Sequence, residues 1–433
     1  MSPSSSSSSR STHPLLVTLL AGGAALATYA CMYAFRKPFA VATFEGREIA
    51  GIDYKVWLVV AQILGYMCSK FIGIRVIGEL HPHRRARLLL LLIGAAWFAL
   101  LGFALMPAPW NIPFLFLNGL PLGMVWGLVF SYLEGRRATE AMGAILASSF
   151  IFASGMVKTV GKLWLLAGVS EFWMPFLTGA VFALPLLAAV TLLERVPPPD
   201  AADRAARHER KPLDRAQRRA FIRRFLPGLV LAIACYVALT AVRDFRDNFE
   251  AELFADLGYG GSAALFTQME TPIALAVLLL TASLMWVRDN LRGLMALHGL
   301  MLTGLLTAGA ATLAFRAGVL APLWWLGLVG FGLYLAYVPF NCVFFERLIA
   351  TFRVAGNVGF LMYLADAFGY LGSVTVLLVR EFAQLHLSWT QFFAAAVLQL
   401  ATFGSIALVG SALYFRLKVR RAQRDDLPLP HAA

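Results

Sequence analysis

The amino-acid sequence predicts an all-α integral membrane protein, with twelve transmembrane helices arranged as two six-helix halves. The first observation is composition: of the 433 residues, 59% are apolar and 14% are charged, which is typical of a polytopic membrane protein. The second is that apolar runs of about 20 residues recur, each long enough to cross about 30 Å of hydrocarbon. The third is a long basic segment after the sixth run, which divides the chain into two halves.

The apolar runs give the predicted spans, whose boundaries are good to a few residues. The spans are 15–42, 55–78, 87–106, 112–133, 140–168, 172–194, 222–248, 261–287, 292–315, 320–344, 355–379 and 388–416. The chain then divides into an N-terminal tail at 1–14, a first half at 15–195, a basic linker at 196–221, a second half at 222–418 and a C-terminal tail at 419–433. The N-terminal tail is expected to be disordered because its serine tract has nothing to bury.

The Lys and Arg residues in the loops and at the ends of the spans predict the orientation. If the N-terminus is cytoplasmic, the cytoplasmic segments hold 25 of them and the opposite side holds 4, namely Arg47, Lys55, Arg316 and Arg380. We therefore expect a multi-pass protein of the cell (inner) membrane with both termini and the linker in the cytoplasm. The net charge of +13 reflects this orientation and does not indicate binding to nucleic acid.

Two motifs recur in corresponding places of the two halves. Tyr29 and Arg36 are seven residues apart in the first span, and Tyr236 and Arg243 are seven apart in the seventh, at an offset of 207. The segments EGRRAT and ERLIAT, after the fourth and tenth spans, match at an offset of 212. Coincidence would explain either match alone. Two matches at nearly one offset favour a duplicated six-helix unit with parallel repeats, which is the layout of the major facilitator superfamily.

Charged residues inside the spans, away from their ends, fall on helices 1, 2, 5, 7, 8 and 11, whereas helices 3, 6, 9 and 12 carry none. A charge that faces lipid is unfavourable, so charged helices face the bundle interior or a wet cavity. We therefore expect helices 3, 6, 9 and 12 to pack on the outside.

Arg36 and Arg243 lie about 20 residues into their predicted helices, which allows two roles. Both side chains can reach the membrane surface as anchors, or both can face a central cavity. We favour the cavity because Tyr29, Tyr33 and Arg36 are spaced i, i+4, i+7 and share one helical face. Lys70, well inside the second helix, has the same two possible roles.

Two of the acidic residues have candidate partners on their own helix. Asp247 follows Arg243 by four residues and Glu250 follows Arg246 by four, so each can form a local ion pair.

Asp366 and Glu270 have no such neighbour, and each can pair with a cation across the bundle or carry a proton. For Asp366 we favour an ion pair that acts as a structural latch, with Lys158 or Arg243 as its partner. Lys158 and Lys162 share a face of the fifth helix, and either can be an anchor.

Several segments resemble the organophosphate:phosphate antiporters of the major facilitator superfamily, which include glycerol-phosphate and hexose-phosphate transporters. YACMYAFRKPFAVA resembles that family's first helix, LGYMCSKFIGIRVIGEL its second, NGLPLGMVWG its fourth and VALTAVRDFRDNF its seventh, and DAFGYLGS is similar to a glycine-rich stretch of helix 11. The resemblance implies that Arg36 and Arg243 hold the substrate phosphate between the halves. It also implies that Lys70 is a substrate-site lysine and Trp126 a cavity tryptophan.

The chain departs from that family at two places. Phe150, in ASSFIFASG, stands where the family has a binding-site histidine, and GELHPHRRA replaces the usual Asp-Arg signature after the second helix. We therefore expect a substrate other than glycerol phosphate and a separate branch of the superfamily.

The sequence thus predicts a monomeric secondary active transporter of a small anionic solute: an organophosphate, phosphate or carboxylate. Several cations in an empty site would resist closure by repulsion, which favours an antiporter, whereas local acids would permit proton symport. The alternative is a transporter-like membrane receptor that binds an anionic ligand and signals. No enzyme, cofactor or metal site is predicted, because no nucleophile–base pair, ligand cluster or phosphate-binding glycine loop is present. The candidate site residues are, for substrate, Arg36, Arg243, Lys70, Tyr29, Tyr33 and Trp126 and, for coupling or ion pairing, Asp366, Glu270, Asp247 and Lys158.

Overall fold

The computed structural model describes residues 14–78, 82–136, 138–199, 203, 215–352, 358–382 and 387–424. The predicted disordered tail, apart from its last residue, lies outside the described residues. So do most of the predicted linker and the last nine residues of the predicted C-terminal tail.

The first half contains seven helices in its described part and a small hairpin. The helices are α1 (Pro14–Tyr33), α2 (Tyr54–Gly78), α3 (Arg85–Leu105), α4 (Ile112–Leu122), α5 (Val125–Phe130), α6 (Thr139–Leu166) and α7 (Met174–Glu194). Strands β1 (Glu48–Ile49) and β2 (Ile52–Asp53) pair antiparallel between α1 and α2. Short 3₁₀ turns cover Pro38–Val41 and Pro82–Arg84.

The second half has eight helices in its described part. They are α8 (Arg215–Asn248), α9 (Glu250–Asp256), α10 (Ala264–Ser283), α11 (Asn290–Arg316), α12 (Pro322–Pro339), α13 (Phe345–Phe352), α14 (Val358–Phe382) and α15 (Trp389–Arg424). A 3₁₀ turn at Leu284–Trp286 follows α10, and a π-helix at Phe340–Phe344 joins α12 to α13.

The helices confirm the predicted fold class. Among the described residues, ten helical segments are long and apolar enough to cross a membrane, and α1 supplies a shorter apolar helix over Val17–Tyr33. Helix α14 occupies the eleventh predicted span. The molecule is therefore an all-α, multi-pass membrane protein of two six-helix halves.

The first span was predicted too long. Helix α1 ends at Tyr33 rather than near residue 42, and the amides of Arg36 and Lys37 both donate to the Tyr33 carbonyl, at 3.0 and 2.9 Å, in a closing turn. Pro38 explains this end, because proline has no N–H to donate to the carbonyl four residues back, at Ala34. Arg36 therefore lies beyond α1, and the argument that it shares a helical face with Tyr29 and Tyr33 was wrong.

Two other spans are interrupted. The fourth breaks between α4 and α5, just after Pro121. The tenth continues past its predicted end, through the π-helix, to Phe352. A π-helical turn inside an α-helix is often found at functional sites.

The helices predicted to lie outside expose large apolar side chains, as a lipid-facing surface requires. The side chains are Phe98 in α3, Leu184 in α7, Leu313 in α11 and Phe403 in α15.

Glycines allow close approach inside each half and between the halves. A Cβ on Gly65 of α2 would collide with the α4 backbone at Phe116, and a Cβ on Gly119 of α4 would collide with α2 at Gln62. At Gly155 of α6, a Cβ would lie 2.5 Å from the Phe266 carbonyl oxygen of α10. Small residues at such crossings bring membrane helices into van der Waals contact. Helix α6 packs along α10, and α2 packs against α14, so these two pairs join the halves.

Candidate functional site

In the first half, an arginine and two tyrosines form a buried triad. The guanidinium carbon of Arg36 lies 4.0 Å from the centre of the Tyr66 ring. The hydroxyls of Tyr66 and Tyr29 are 3.4 Å apart. A guanidinium over an aromatic face is held by a cation–π interaction, which strengthens when water is excluded.

The second half contains a matching triad. The guanidinium carbon of Arg243 lies 4.0 Å from the centre of the Tyr337 ring, and the Tyr236 hydroxyl donates to that of Tyr337 at 3.2 Å. The Tyr and Arg spaced seven apart are thus in corresponding places in both halves. The third tyrosine is not in a repeated position, because α2 supplies it in the first half and α12 in the second.

The two arginines differ in their partners. Arg243 donates from Nη2 to Oδ1 of Asp244 at 2.5 Å, and the other oxygen of Asp244 accepts from the Ser373 hydroxyl at 2.9 Å. The Arg36 guanidinium forms no hydrogen bond or ion pair with the described residues, and its Nε is buried without a partner. A buried charge without an acceptor is unfavourable unless a ligand or ion completes it.

Two tyrosine hydroxyls near Arg36 also lack partners. Tyr33 and Tyr370 are 3% and 6% exposed, and no described residue accepts from or donates to either hydroxyl. Tyr370 belongs to the opposite half, and its ring centre lies 5.2 Å from that of Tyr66. The Tyr33 ring centre lies 5.6 Å from that of Tyr29, so Tyr33 adjoins the first triad. Arg36, Tyr33 and Tyr370 therefore present unsatisfied polar groups to one region between the halves.

Lys70 and Asp366 join the two halves beside this region. Lys70 Nζ lies 3.0 Å from Oδ2 of Asp366, and the other oxygen of Asp366 accepts from the Tyr236 hydroxyl at 2.5 Å. Asp366 thus has an ion-pair partner, but that partner is Lys70 rather than the expected Lys158 or Arg243. The sequence around Asp366 could not have indicated this partner, because Lys70 lies in α2, in the other half.

Aromatic rings adjoin the first triad. Trp126 packs on Phe150 with ring centres 4.6 Å apart, and both lie edge-on to Tyr29, at 5.2 and 5.7 Å. Phe150 reaches Tyr337 of the other half at 6.5 Å. Trp126 and Phe150 are half-buried, and aromatic groups of this kind offer an apolar face beside the polar groups of Arg36.

A second set of charges lies where α1 ends and α8 ends. Asp247 forms ion pairs with Lys37 at 2.5 Å and with Lys158 at 2.7 Å, and it also accepts from the Ser154 hydroxyl at 2.5 Å. Lys37 further donates to Oδ1 of Asn248 at 2.9 Å. This carboxylate therefore connects two elements of the first half to α8.

Three further ion pairs extend the set. Lys158 also pairs with Glu250 at 2.9 Å. Arg246 pairs with Glu270 at 2.6 Å and with Glu250 at 3.5 Å, which confirms the expected local pair four residues apart. The other expected local pair, Arg243 with Asp247, was wrong, because Arg243 turns to its neighbour Asp244 and Asp247 faces the first half.

Lys55 and Glu252 supply another ion pair between the halves. Lys55 also donates to the Ala40 carbonyl at 2.7 Å. Burial raises the pKa of Glu252, although Lys55 acts in the opposite direction. We name the residues that link the halves at this end the interhalf charge network: Lys37, Lys55, Lys158, Asp247, Glu250 and Glu252.

Every ion pair between the halves that the structure describes has the same polarity. The cations belong to the first half and the carboxylates to the second. The pairs are Lys37–Asp247, Lys158–Asp247, Lys158–Glu250, Lys55–Glu252 and Lys70–Asp366. The halves are thus electrostatically complementary, and separating them would expose lysines on one side and acids on the other.

Several residues of these clusters carried no signal that the sequence reasoning used. Tyr66, Tyr337 and Tyr370 look like ordinary apolar-helix residues, and Lys37 was not among the predicted site residues. Asp244 follows Arg243 directly in VRDFRDNF, and this adjacency was the one available hint of the Arg243 partner.

Comparisons with known proteins identify a family and a fold. The sequence model of a family described as "Family of unknown function (DUF5690)" matches residues 38–418. A search of curated proteins found no match.

Among solved structures, the nucleoside transporter NupG aligns with a TM-score of 0.61 at 13% identity, over 92% of this chain and 99% of that chain. A D-xylose–proton symporter aligns with a TM-score of 0.58 at 14% identity, over 91% and 97%. The human organic anion transporter MFSD10 (TETRAN) aligns with a TM-score of 0.54 at 15% identity, over 92% and 100%. These likenesses confirm the major facilitator fold, whereas the narrower resemblance to organophosphate:phosphate antiporters stays a prediction.

Proposed function

We propose that this chain, which belongs to the family of unknown function DUF5690, is a secondary active transporter that moves a small anionic solute by alternating access. One observation carries the proposal: Arg36 is buried between the halves, and no described residue accepts a hydrogen bond from its guanidinium. An arginine offers five N–H donors in a planar fork that suits carboxylate and phosphate oxygens. An anion is the ligand that this group lacks.

The proposed site brings together groups from both halves. Arg36 receives the anion, and Tyr33 donates a hydrogen bond beside it. Arg243 approaches from the second half, with Lys70 at the edge. Tyr29 and Trp126 form part of the wall. Because the two arginines belong to different halves, an anion held between them would favour closure of the halves around it.

The interhalf charge network closes one end of the bundle in this proposal. That end is the extracytoplasmic one in the orientation predicted from the loop charges. Reporter fusions test the orientation: fusions after Arg207 and after Arg424 should read cytoplasmic, and one after Asp256 should read extracytoplasmic. A cytoplasmic signal at Asp256 would contradict both the orientation and the twelve-helix arrangement.

Coupling is assigned to the Lys70–Asp366 pair. As a latch, the pair holds α2 to α14 and must part when the halves separate. If Asp366 took up a proton instead, the pair would release Lys70 and couple transport to a proton gradient. We favour the latch, since Lys70 and Tyr236 both hold the carboxylate.

The test is transport by the purified protein in proteoliposomes. Vesicles loaded with one anion should accumulate labelled anion from outside, with the Arg36→Gln variant as the blank. Anion binding by the detergent-solubilised protein with no accumulation in vesicles would instead identify a receptor. Neither binding nor uptake for any carboxylate or phosphate would refute the proposal.

A further inference from the structure

The charges around Arg36 leave one positive charge without a partner built into the protein. Arg243 is paired with Asp244 at 2.5 Å and Lys70 with Asp366 at 3.0 Å. Arg36 has no carboxylate partner in the part of the chain that the structure describes. Three cations and two carboxylates therefore give this cluster a net single positive charge.

The adjoining charges supply no second positive charge. Cations and acids are equal in number there, and each belongs to at least one ion pair. The cations are Lys37, Lys55, Lys158 and Arg246, and the acids are Asp247, Glu250, Glu252 and Glu270. The positive charge that a ligand meets is therefore that of Arg36.

A dianion would need a second cation, and each available one is already held. Taking Arg243 for the ligand would leave Asp244 with the Ser373 hydroxyl alone, and taking Lys70 would leave Asp366 with Tyr236 alone. A buried carboxylate that loses its cation is strongly destabilised. A ligand with one negative charge avoids this penalty because Arg36 alone neutralises it.

The surroundings of Arg36 also select the rest of the ligand. Its guanidinium lies over Tyr66, whose ring packs against Tyr370 across the interface between the halves. Trp126 and Phe150 adjoin the same triad and are half-buried. These rings offer faces and edges to an apolar group beside the charge of Arg36.

From this charge balance and these rings we infer that the site takes a monocarboxylate with an aromatic or similarly planar apolar body, rather than a dianionic organophosphate. The inference rests on the proposed transport function and names its substrate class. The carboxylate accepts from Arg36 and Tyr33, and the apolar body lies against Trp126 and Phe150.

The test separates charge from ring with four probes. Benzoate and acetate are monoanions with and without a ring. At pH 8, phenyl phosphate and inorganic phosphate both carry mostly two charges, because this pH lies above the second pKa of each. Calorimetric titration of the detergent-solubilised protein at pH 8 should give benzoate the lowest Kd, about tenfold below those of acetate and phenyl phosphate. Arg36→Gln should abolish all of this binding and provides the blank for micelle partitioning.

Two variants test the two arguments one at a time. Trp126→Ala should raise the Kd for benzoate several-fold and leave that for acetate unchanged, while Trp110→Ala, at a tryptophan that is 70% exposed, should change neither. Asp244→Asn removes the acid that holds Arg243, so the ratio of phenyl phosphate to benzoate affinity should rise about tenfold. A ratio is informative even if the variant binds less of everything.

The outcomes distinguish this inference from the proposed function. Phosphates that bind more tightly than benzoate to the unaltered protein, and are transported, would overturn the substrate class and leave anion transport standing. An unchanged phosphate-to-benzoate ratio in Asp244→Asn would overturn the charge argument. Binding of none of the four probes, together with no uptake of any anion, would overturn both.

Discussion

The interhalf charge network and the Arg36 triad are both buried and charged, yet they differ in completeness. Each cation of the network has a carboxylate partner, and Asp247 alone receives Lys37, Lys158 and Ser154. Arg36 has aromatic contacts and no acid among the described residues. Burial of charge therefore does not by itself indicate a binding site in this molecule. The proposed binding site is distinguished instead by the missing acceptor at Arg36.

The comparison also separates the charges that hold the halves together from those at the proposed ligand site. The network pairs lysines of one half with acids of the other, so its energy depends on the halves being together. All three residues of the Arg36 triad belong to the first half, although Tyr66 packs against Tyr370 of the second. The charge of the triad is therefore the same whether or not the halves meet. In the proposed function, ligand binding can thus change the net charge at the site without first breaking the network.

The largest effect is expected when the network loses its central acid. Asp247→Asn leaves Lys37 and Lys158 with an amide in place of the carboxylate, and removing one partner of a buried pair costs roughly 3–5 kcal/mol. The free energy of unfolding in detergent, followed by denaturant titration, should fall by about that amount. Glu45→Gln, at an exposed acid outside the network, is the matched control and should change it by less than about 0.5 kcal/mol. Equal stabilities of the two variants would show that the network does not stabilise this conformation.

The next effect concerns the two arginines. Arg36→Lys keeps the charge and loses the planar fork, so we expect the Kd of the bound anion to rise about a hundredfold. Arg243→Lys should raise it only about tenfold, because Asp244 already shares that side chain. Both variants should express and fold like the unaltered protein. Arg316→Lys, at an exposed arginine at the end of α11, serves as the control.

Equal losses for the two arginines would mean that Arg243 leaves Asp244 when ligand binds. If both variants bind like the unaltered protein, the arginines are anchors and the site has been misidentified.

The sequence predicted the features that depend on local composition. Apolar run lengths located the helices, and the lack of charge inside helices 3, 6, 9 and 12 agrees with the large apolar side chains that they expose. The spacing of Tyr29 from Arg36 and of Tyr236 from Arg243 survives as matched triads. These features need no knowledge of how one helix is aligned with the next.

The partners could not be predicted, because they depend on contacts between distant helices. Lys37 meets Asn248 across 211 residues of chain, and only the packing of the two halves brings them together. The expected pair of Arg243 and Asp247 failed for a local reason: helical spacing favours partners three or four residues apart, but a long arginine side chain can turn back to its neighbour. The first helix was predicted too long because the apolar run continues past Pro38. Run length alone does not register that a proline ends a helix.

A smaller and more informative effect is expected at Lys70 and Asp366, which lie between the two regions. Asp366→Asn leaves Lys70 without its carboxylate but with its aromatic contact to Tyr66. As a latch, the pair should matter to exchange itself, so anion exchange in proteoliposomes should fall about tenfold in step with any gradient-driven uptake. Intact exchange with loss of accumulation driven by a pH gradient would show instead that Asp366 carries a proton.

The smallest net effect is expected where both partners are replaced together. Glu252→Gln alone leaves Lys55, which is fully buried, with the Ala40 carbonyl as its acceptor, and should destabilise the protein by roughly 3 kcal/mol. Lys55→Met with Glu252→Leu removes both charges and fills a similar volume, so the unfolding free energy should return to within about 1 kcal/mol of its original value. The reason is that the attraction within a buried ion pair little more than offsets the desolvation of its two charges.

The same double variant tests whether the network stabilises the protein or selects one arrangement of the halves. If the pair mainly favours this arrangement of the two halves, the variant should remain folded. Its halves should then separate at a frequency different from that of the unaltered protein. Cysteines at positions 55 and 252 would remove the pair itself. A cysteine in the turn Pro38–Val41 should instead be cross-linked to one in α9, which packs against that turn, with and without the double replacement. Unchanged cross-linking together with unchanged transport would show that this pair is dispensable, and that Asp247 with its two lysines suffices to hold that end of the bundle.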